Sequence, residues 1–394
     1  MFKKIKINVK TLTPLYIGGT DSEIPISEYA KKSEVNSKGK NSIHLLRMNK
    51  KYYIKYMQES GRAFEKYIDK ISEYKKDAEY IYSCKKGLGF NENRARTIRA
   101  HIRTIDGKLM IPGSSIKGAF RNAINYYFLK EDKKFILDLN NCISEAIRNR
   151  QIKRKTSKSN NFKLKDLYKN IEKHLISKKI GGNNQNKDFL RTLRFEDIVL
   201  DENIEASIYG VRIFHLTNNR FEVKRGAPIF LEAIPRNINF TISITYDEWL
   251  ANEMGNLITP KDIEKIIKTY YEDIKQQDYL LNYTEKSYTL KFKDNFDNKF
   301  EYEAEDYEKY LSSFKTILNM IKDMGNLRIG NSSGWSYVSL FNLLNENNKI
   351  ALRNRLYRDH GDLPAPASRK LVVYKNEDAF SPLGWLKINN IEVE

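Results

Sequence analysis

Cysteine is nearly absent. Cys84 and Cys142 are the only two in 394 residues, and there is no CxxC pair, no HExxH and no Cys/His cluster at metal-ligand spacing. That excludes a disulfide framework and leaves nothing from which to build a structural zinc site, so neither cofactor nor metal is expected. Long apolar runs are missing too: stretches such as Ile111–Pro112 or Leu371–Val373 fall far short of the ~18–20 residues that span a bilayer. Met1-Phe-Lys-Lys leads straight into an alternating strand, with no leader-like segment. The expectation is an untargeted, cytoplasmic protein without a membrane partner. Acidic residues are the scarcer charge, 50 Asp+Glu against 69 Lys+Arg, which makes the chain +19 with His neutral. With 40% hydrophobic residues it can bury real cores, and its length suggests about two domains at roughly 100–200 residues each.

A diffuse positive excess gives solubility, whereas a focused one gives a site for polyanions. Here the charge is focused. Twelve Lys/Arg lie between Arg148 and Lys179 against only Asp166 and Glu172, a local +10. A second cluster, Arg94, Arg96, Arg99, His101 and Arg103, follows the glycine-containing stretch 85–90. A solvated lysine-rich surface competes as an account of the first run. The second is expected to bind RNA, because arginine forks suit phosphate better than solvent.

The first strand places Ile5, Ile7 and Val9 on one face and Lys4, Lys6, Asn8 and Lys10 on the other. A polar stretch follows Gly18-Gly19 to about Lys40, and residues 47–82 read as helical. A helix is predicted to grow from Pro112-Gly113-Ser114-Ser115, with a serine cap and apolar positions 116, 120, 123, 124, 127 and 128. Strands are predicted at 193–200, 208–216, 229–234 and 238–246, the last alternating most cleanly, with later ones at 336–340, 369–374 and 383–388. Helices are predicted at 260–276 and 306–324, the latter capped by Gly325-Asn326. This order suits antiparallel α+β units and lacks the βα alternation of a doubly wound sheet.

Pro-Gly-Ser-Ser-Ile-Lys-Gly at 112–118 invites a phosphate-loop reading and fails it, because Ala119-Phe120 stand where Lys-Ser/Thr is required. What remains is a helix N-terminus, whose free N–H groups attract anions, with Lys117, Arg121 and Asn125 four residues apart along one flank. An ordinary capped core helix with a stray basic edge is the competing account. The turn Gly330-Asn331-Ser332-Ser333-Gly334-Trp335 offers successive N–H groups for an anion nest, with Arg328 just before it and an indole for stacking. Here the competing account is a glycine turn with a core Trp.

Together these segments resemble the RAMP proteins of CRISPR systems. The resemblance rests on the strand ending in Gly-Gly, Ile-Pro-Gly-Ser-Ser-Ile-Lys-Gly-Ala-Phe-Arg at 111–121, Leu-Arg-Phe-Glu-Asp at 193–197 and Leu-Arg-Ile-Gly-Asn-Ser-Ser-Gly-Trp at 327–335. The closing segments Ser368-Arg369-Lys370-Leu371-Val372 and Pro382-Leu383-Gly384-Trp385-Leu386-Lys387 are similar to those of the type III-A Csm-complex subunit that caps the backbone filament at the 3′ side of the CRISPR RNA. The resemblance implies two ferredoxin-like (RRM-like) modules. The first would span 1–235, with insertions at about 20–108 and 148–188, and the second 236–394, carrying the loop 325–335. It further implies a non-catalytic subunit that binds the 3′ portion of CRISPR RNA in antiviral defence. Its protein partners would be neighbouring RAMP backbone subunits, the small subunit and a separate trimming nuclease for RNA maturation. Carried onto this chain, it marks Ser114, Ser115, Lys117, Arg121 and Arg328 to Trp335 as RNA-binding. The enzymatic alternatives are a repeat-cleaving endoribonuclease using His44 and a metal-assisted nuclease using Asp21. A scattered histidine is more often structural, and a loop carboxylate more often faces solvent.

Overall fold

The computed structural model describes residues 1–35, 41–49, 54, 58, 80–148, 188–217, 220–282, 304–356, 361–363, 365–374 and 378–394. Most of the basic run at 148–188 and of the helical reading at 47–82 falls outside the described residues. The first half runs through β1 (Phe2–Thr11), β2 (Gly18–Pro25), β3 (Tyr29–Val35), β4 (Asn41–Met48), β5 (Tyr80–Lys86), β6 (Thr97–His101) and β7 (Met110–Ile111) into α1 (Gly113–Leu129) and α2 (Lys133–Arg148). Six strands follow: β8 (Leu193–Phe195), β9 (Ile198–Val199), β10 (Ala206–Thr217), β11 (Arg220–Val223), β12 (Ile229–Ala233) and β13 (Asn239–Asp247). Next come α3 (Glu248–Glu253), α4 (Asp262–Gln277), α5 (Tyr279–Asn282) and α6 (Ala304–Met324). The chain closes with β14 (Leu327–Arg328), α7 (Glu346–Leu356), β15 (Ser368–Tyr374), β16 (Asp378–Ser381) and β17 (Trp385–Val393).

The architecture is α+β. One sheet is antiparallel, in the order β14-β17-β1-β13-β8. A larger sheet runs β2-β6-β12-β10-β5-β4-β3, with β11, β15 and β16 attached around the long β10. It is mostly antiparallel, with parallel pairs at β5/β10 and β6/β12. The predicted parity of β1 holds: Ile5, Ile7 and Val9 are buried, and each pairs across to β13 at Ile244, Ile242 and Phe240.

Two expectations change. β1 lies between β13 and β17, so the N-terminal strand completes a sheet made otherwise from residues 193–393, and β15 and β16 join strands from before residue 235. The sheets therefore interleave across the expected boundary at 235. The polar stretch after Gly19 is also strand, with β2 joined to β6 and β3 to β4 within the larger sheet. A strand with one wet face carries such polar residues normally.

Helix α1 packs on the core through Ile116, Ala119, Phe120, Ala123, Ile124, Tyr126 and Leu129. Of the three consecutive aromatics near its end, Tyr126 is buried, edge-on to Tyr270 of α4 at 5.3 Å, while Tyr127 and Phe128 are only partly buried. Each fully buried Ile, Leu or Phe of α1 contributes about 1.5–3 kcal/mol. Asn125, expected on the basic flank, is buried.

Candidate nucleic-acid interface

Helix α1 begins at Gly113 with no serine cap: Pro112 is the capping position and makes no side-chain bond. Instead the Gly113 N–H donates to Asp197 Oδ1 at 2.7 Å, from the segment following β8. A Cβ at Gly113 would lie 2.3 Å from the Phe195 carbonyl oxygen, so only glycine allows this approach. Ser114 is thereby left exposed and Ser115 half-buried at the helix mouth.

The loop after β14 approaches the same helix face. Ser115, Gly118, Ala119 and Asn122 of α1 and Gly330, Asn331 and Ser333 of the loop line one open groove of about 390 Å³. Left-handed backbone at Gly330 (φ 87°), Ser332 (φ 71°) and Gly334 (φ 86°) shapes the loop. Asn331 N–H donates to Tyr16 O at 2.8 Å, and Ser333 Oγ donates to Gly330 O at 2.8 Å, anchoring its base. No acceptor among the described residues takes the N–H groups of Ser332, Ser333 or Gly334. A Cβ on Gly330 would meet Tyr16 O at 2.6 Å, whereas Gly334 stands in open space.

Arg328 corrects the sequence reading. Its side chain is buried, with Nε donating to Leu383 O at 3.0 Å and Nη2 to Ser332 O at 3.3 Å. The guanidinium lies over Tyr337 at 4.4 Å and Trp385 at 5.4 Å. Its fork is committed to the Leu383 and Ser332 carbonyls and to two aromatic rings, so the residue contributes to the lining of the α1 groove as a buried support of the loop. Tyr337 in turn donates to Asp278 at 2.7 Å, and Arg369 pairs with the same carboxylate at 3.2 Å. Burial opposes ionisation of Asp278, yet Arg369 and the Tyr337 hydroxyl hold its carboxyl below the usual range. Trp335 stacks on Phe341 at 4.4 Å and starts a short 3₁₀ turn, Trp335–Tyr337, where a strand was expected.

Lys117 and Arg121 lie off the groove, on the flank of α1 facing Asp188. Arg121 makes a two-pronged pair with that carboxylate at 2.7 and 3.3 Å. Burial lowers the Lys117 pKa, with Asp188 opposing and Arg121 adding to the shift. The second arginine cluster divides. Arg94 and Arg96 are exposed, and Arg99 pairs with Glu23 at 2.9 Å. Arg103 is a second correction: it is buried beside Glu232 at 3.5 Å, donates to Gly107 O at 2.8 Å and stacks over Tyr82 at 3.7 Å.

Burial pushes His101 down to about 3. Its Nδ1 accepts from the Ile17 N–H at 3.3 Å and its Nε2 bonds to Met110 O at 3.0 Å, an arrangement that fits the neutral Nε2–H tautomer. In the unfolded chain the ring protonates near 6.5, so this contribution to stability is complete above that pH and lost as pH falls toward 3. The expected cost is about 1.4 kcal/mol per pH unit in that window. Chemical denaturation across pH 4–7, with His101→Leu as control, should show the slope in the parent and its reduction in the variant.

Of the residues weighed for catalysis, His44 Nδ1 bonds Glu205 at 2.9 Å, the same carboxylate that takes Ser83 Oγ at 2.5 Å and Lys85 at 3.4 Å. Asp21 lies within β2 rather than in a loop. Among the described residues no group of three or more His, Cys, Asp or Glu is arranged to hold a metal, and no helix is long and apolar enough to cross a membrane. Sequence reasoning missed Asp197 and Asp278. Asp197 lay within a quoted segment, but nothing local to either residue signals its distant partner.

The chain is 28% identical over 307 residues to the CRISPR system Cms protein Csm5 of Methanocaldococcus jannaschii, a match covering 72% of this chain and 63% of that one. It thus spans somewhat under two thirds of that relative's length. Its fold is similar to a chain of a cryo-EM Csm-crRNA-target RNA ternary complex of a type III-A CRISPR-Cas system, with TM-score 0.58 and 18% identity, covering 98% of this chain and 100% of that one. The crystal structure of T. onnurineus Csm5 gives TM-score 0.57 and 16% identity over 97% of this chain and 100% of the other. The RAMP superfamily model matches residues 8–337, through the first strand, the α1 start and the glycine loop, and the chain belongs to that superfamily.

Proposed function

We infer that this protein is a non-catalytic, RNA-binding subunit of a type III-A Csm effector complex, holding the 3′ portion of CRISPR RNA beside neighbouring RAMP subunits. It would serve RNA 3′-end maturation and complex assembly, with a separate nuclease doing the trimming, and its two sheets would correspond to two modified ferredoxin-like modules. The observation that carries this reading is the loop 330–334 beside the mouth of α1: Gly330, Asn331 and Ser333 line the groove there, and the N–H groups of Ser332, Ser333 and Gly334 have no acceptor among the described residues. Successive amides of this kind make an anion seat without any side-chain charge. The +19 chain supplies the long-range attraction. Similarity to Csm5 and to the fold of a Csm-complex chain supports the assignment.

Single-stranded RNA binding is expected to weaken with salt, about −0.7 per neutralised phosphate in the slope of log K against log salt, or near −3.5 for ~5 contacts. A slope near zero removes the electrostatic account. Gly334→Val should lower RNA affinity at least tenfold, because the Cβ branches would stand between the amides and a phosphate. The left-handed angle at Gly334 adds about 1–3 kcal/mol of strain, so thermal melting belongs beside the binding curve. A folded Gly334→Val protein with parental RNA affinity would sink the assignment. Labelled CRISPR repeat RNA should stay intact with or without Mg²⁺. Cleavage abolished by His44→Ala would instead establish the endoribonuclease alternative.

A further inference from the structure

Next to the α1 groove, the loop 330–338 forms one wall of a second cavity of about 520 Å³, which shares Gly330, Asn331, Ser333 and Val338 with that groove. It is completed by Ile213 of β10, Leu356 at the end of α7, Pro366 and Lys370 of β15, with Trp335 on the loop wall. That volume lies within the roughly 300–1,000 Å³ of small-molecule sites, and the lining combines apolar side chains with a few polar groups, as such sites do. The apolar part is Ile213, Val338, Leu356, Pro366 and the indole, whose position is set by its stack on Phe341. The cavity is also lined by Ser332, Ser333 and Gly334, whose N–H groups have no acceptor among the described residues, and by Lys370. Burial lowers the Lys370 pKa, and the nearby Arg99 lowers it further.

We propose that this cavity receives one unstacked nucleobase of the bound RNA, its apolar walls and indole taking the base while the loop amides and Lys370 hold the adjoining phosphate. The inference rests on the reading of the loop as an RNA seat and adds what lies beside it. An apolar side chain from a protein neighbour would leave the amides and Lys370 without a counterpart. A free inorganic anion would leave the apolar walls without one. A nucleotide satisfies both, and its neighbours in the chain continue across the loop into the α1 groove.

The test compares a ten-nucleotide single-stranded RNA with an abasic ribose-phosphate chain of equal length, on the full-length parent and on two variants that fill the cavity from opposite walls, Ile213→Trp and Leu356→Trp. Neither residue lines the α1 groove. The parent should prefer the base-bearing RNA. In either variant that melts like the parent, that preference should shrink about tenfold, the scale of one base–aromatic stack, while affinity for the abasic chain stays unchanged. An unchanged preference in a folded variant overturns the proposal, and points to a protein side chain or nothing as the occupant. Nucleoside monophosphates are the third probe: displacement of RNA by micromolar mononucleotide would mark a free-nucleotide site and also overturn it. Failure of the loop reading looks different, since Gly334→Val would then leave binding of both chains intact.

Discussion

Asp278→Ala is expected to cost about 3–5 kcal/mol of folding stability, the range for removing one partner of a buried ion pair. The carboxylate is buried and accepts from Arg369 Nη2, the Tyr337 hydroxyl and the Leu280 N–H, the last two at 2.7 and 3.0 Å. Its loss removes the carboxylate partner of Arg369, a cation that also donates to the Pro366 and Ser368 carbonyls. It also frees the Tyr337 ring, which supports Arg328 and therefore the carbonyl of Ser332 in the glycine loop. RNA affinity should fall together with the melting temperature, because Asp278 reaches the loop only through the packing behind it. Asp278→Asn keeps the size and can still accept from Tyr337, so it should recover part of the stability. Urea unfolding of the three proteins decides the point, and equal stability for Asp278→Ala and the parent would show the pair to be dispensable.

That network explains which parts of the site could be read from sequence. Gly113, Gly330 and Gly334 announce themselves, because a turn with positive φ or a close backbone approach needs glycine whatever lies elsewhere in the chain. Strand β13 and helices α4 and α6 are legible for a similar reason, their apolar period being local. Partner choice is not local. Arg328 beside a glycine loop looks like a phosphate ligand until Leu383, 55 positions later, is found to accept from it. Lys117 and Arg121 share a helix flank by spacing, yet whether that flank meets the groove depends on where β14 comes to rest. The pairing of strands across residue 235 is non-local in the same way: alternation in β1 shows that one face is buried, not that β13 and β17 flank it.

Glu232→Ala should be comparably damaging, and it tests the reassignment of Arg103. Glu232 is fully buried on β12, accepting from Tyr29 of β3 at 2.7 Å, Tyr82 of β5 at 3.1 Å and the His101 N–H of β6 at 3.2 Å. One carboxylate thus joins strands that enter the larger sheet from both sides of β12, with Arg103 as its counter-charge. Removing it leaves that cation and two tyrosine hydroxyls without their shared acceptor in a dry environment, for an expected loss of about 3–5 kcal/mol. Arg103→Ala should destabilise by a similar amount, and the double variant by less than the sum of the two, since each single change already breaks the same pair. If Arg103 instead gripped phosphate, Arg103→Ala would weaken RNA binding while leaving the melting curve in place. Measured at a temperature where both proteins are folded, the expectation is the reverse: RNA affinity near the parent's and a melting transition moved far down.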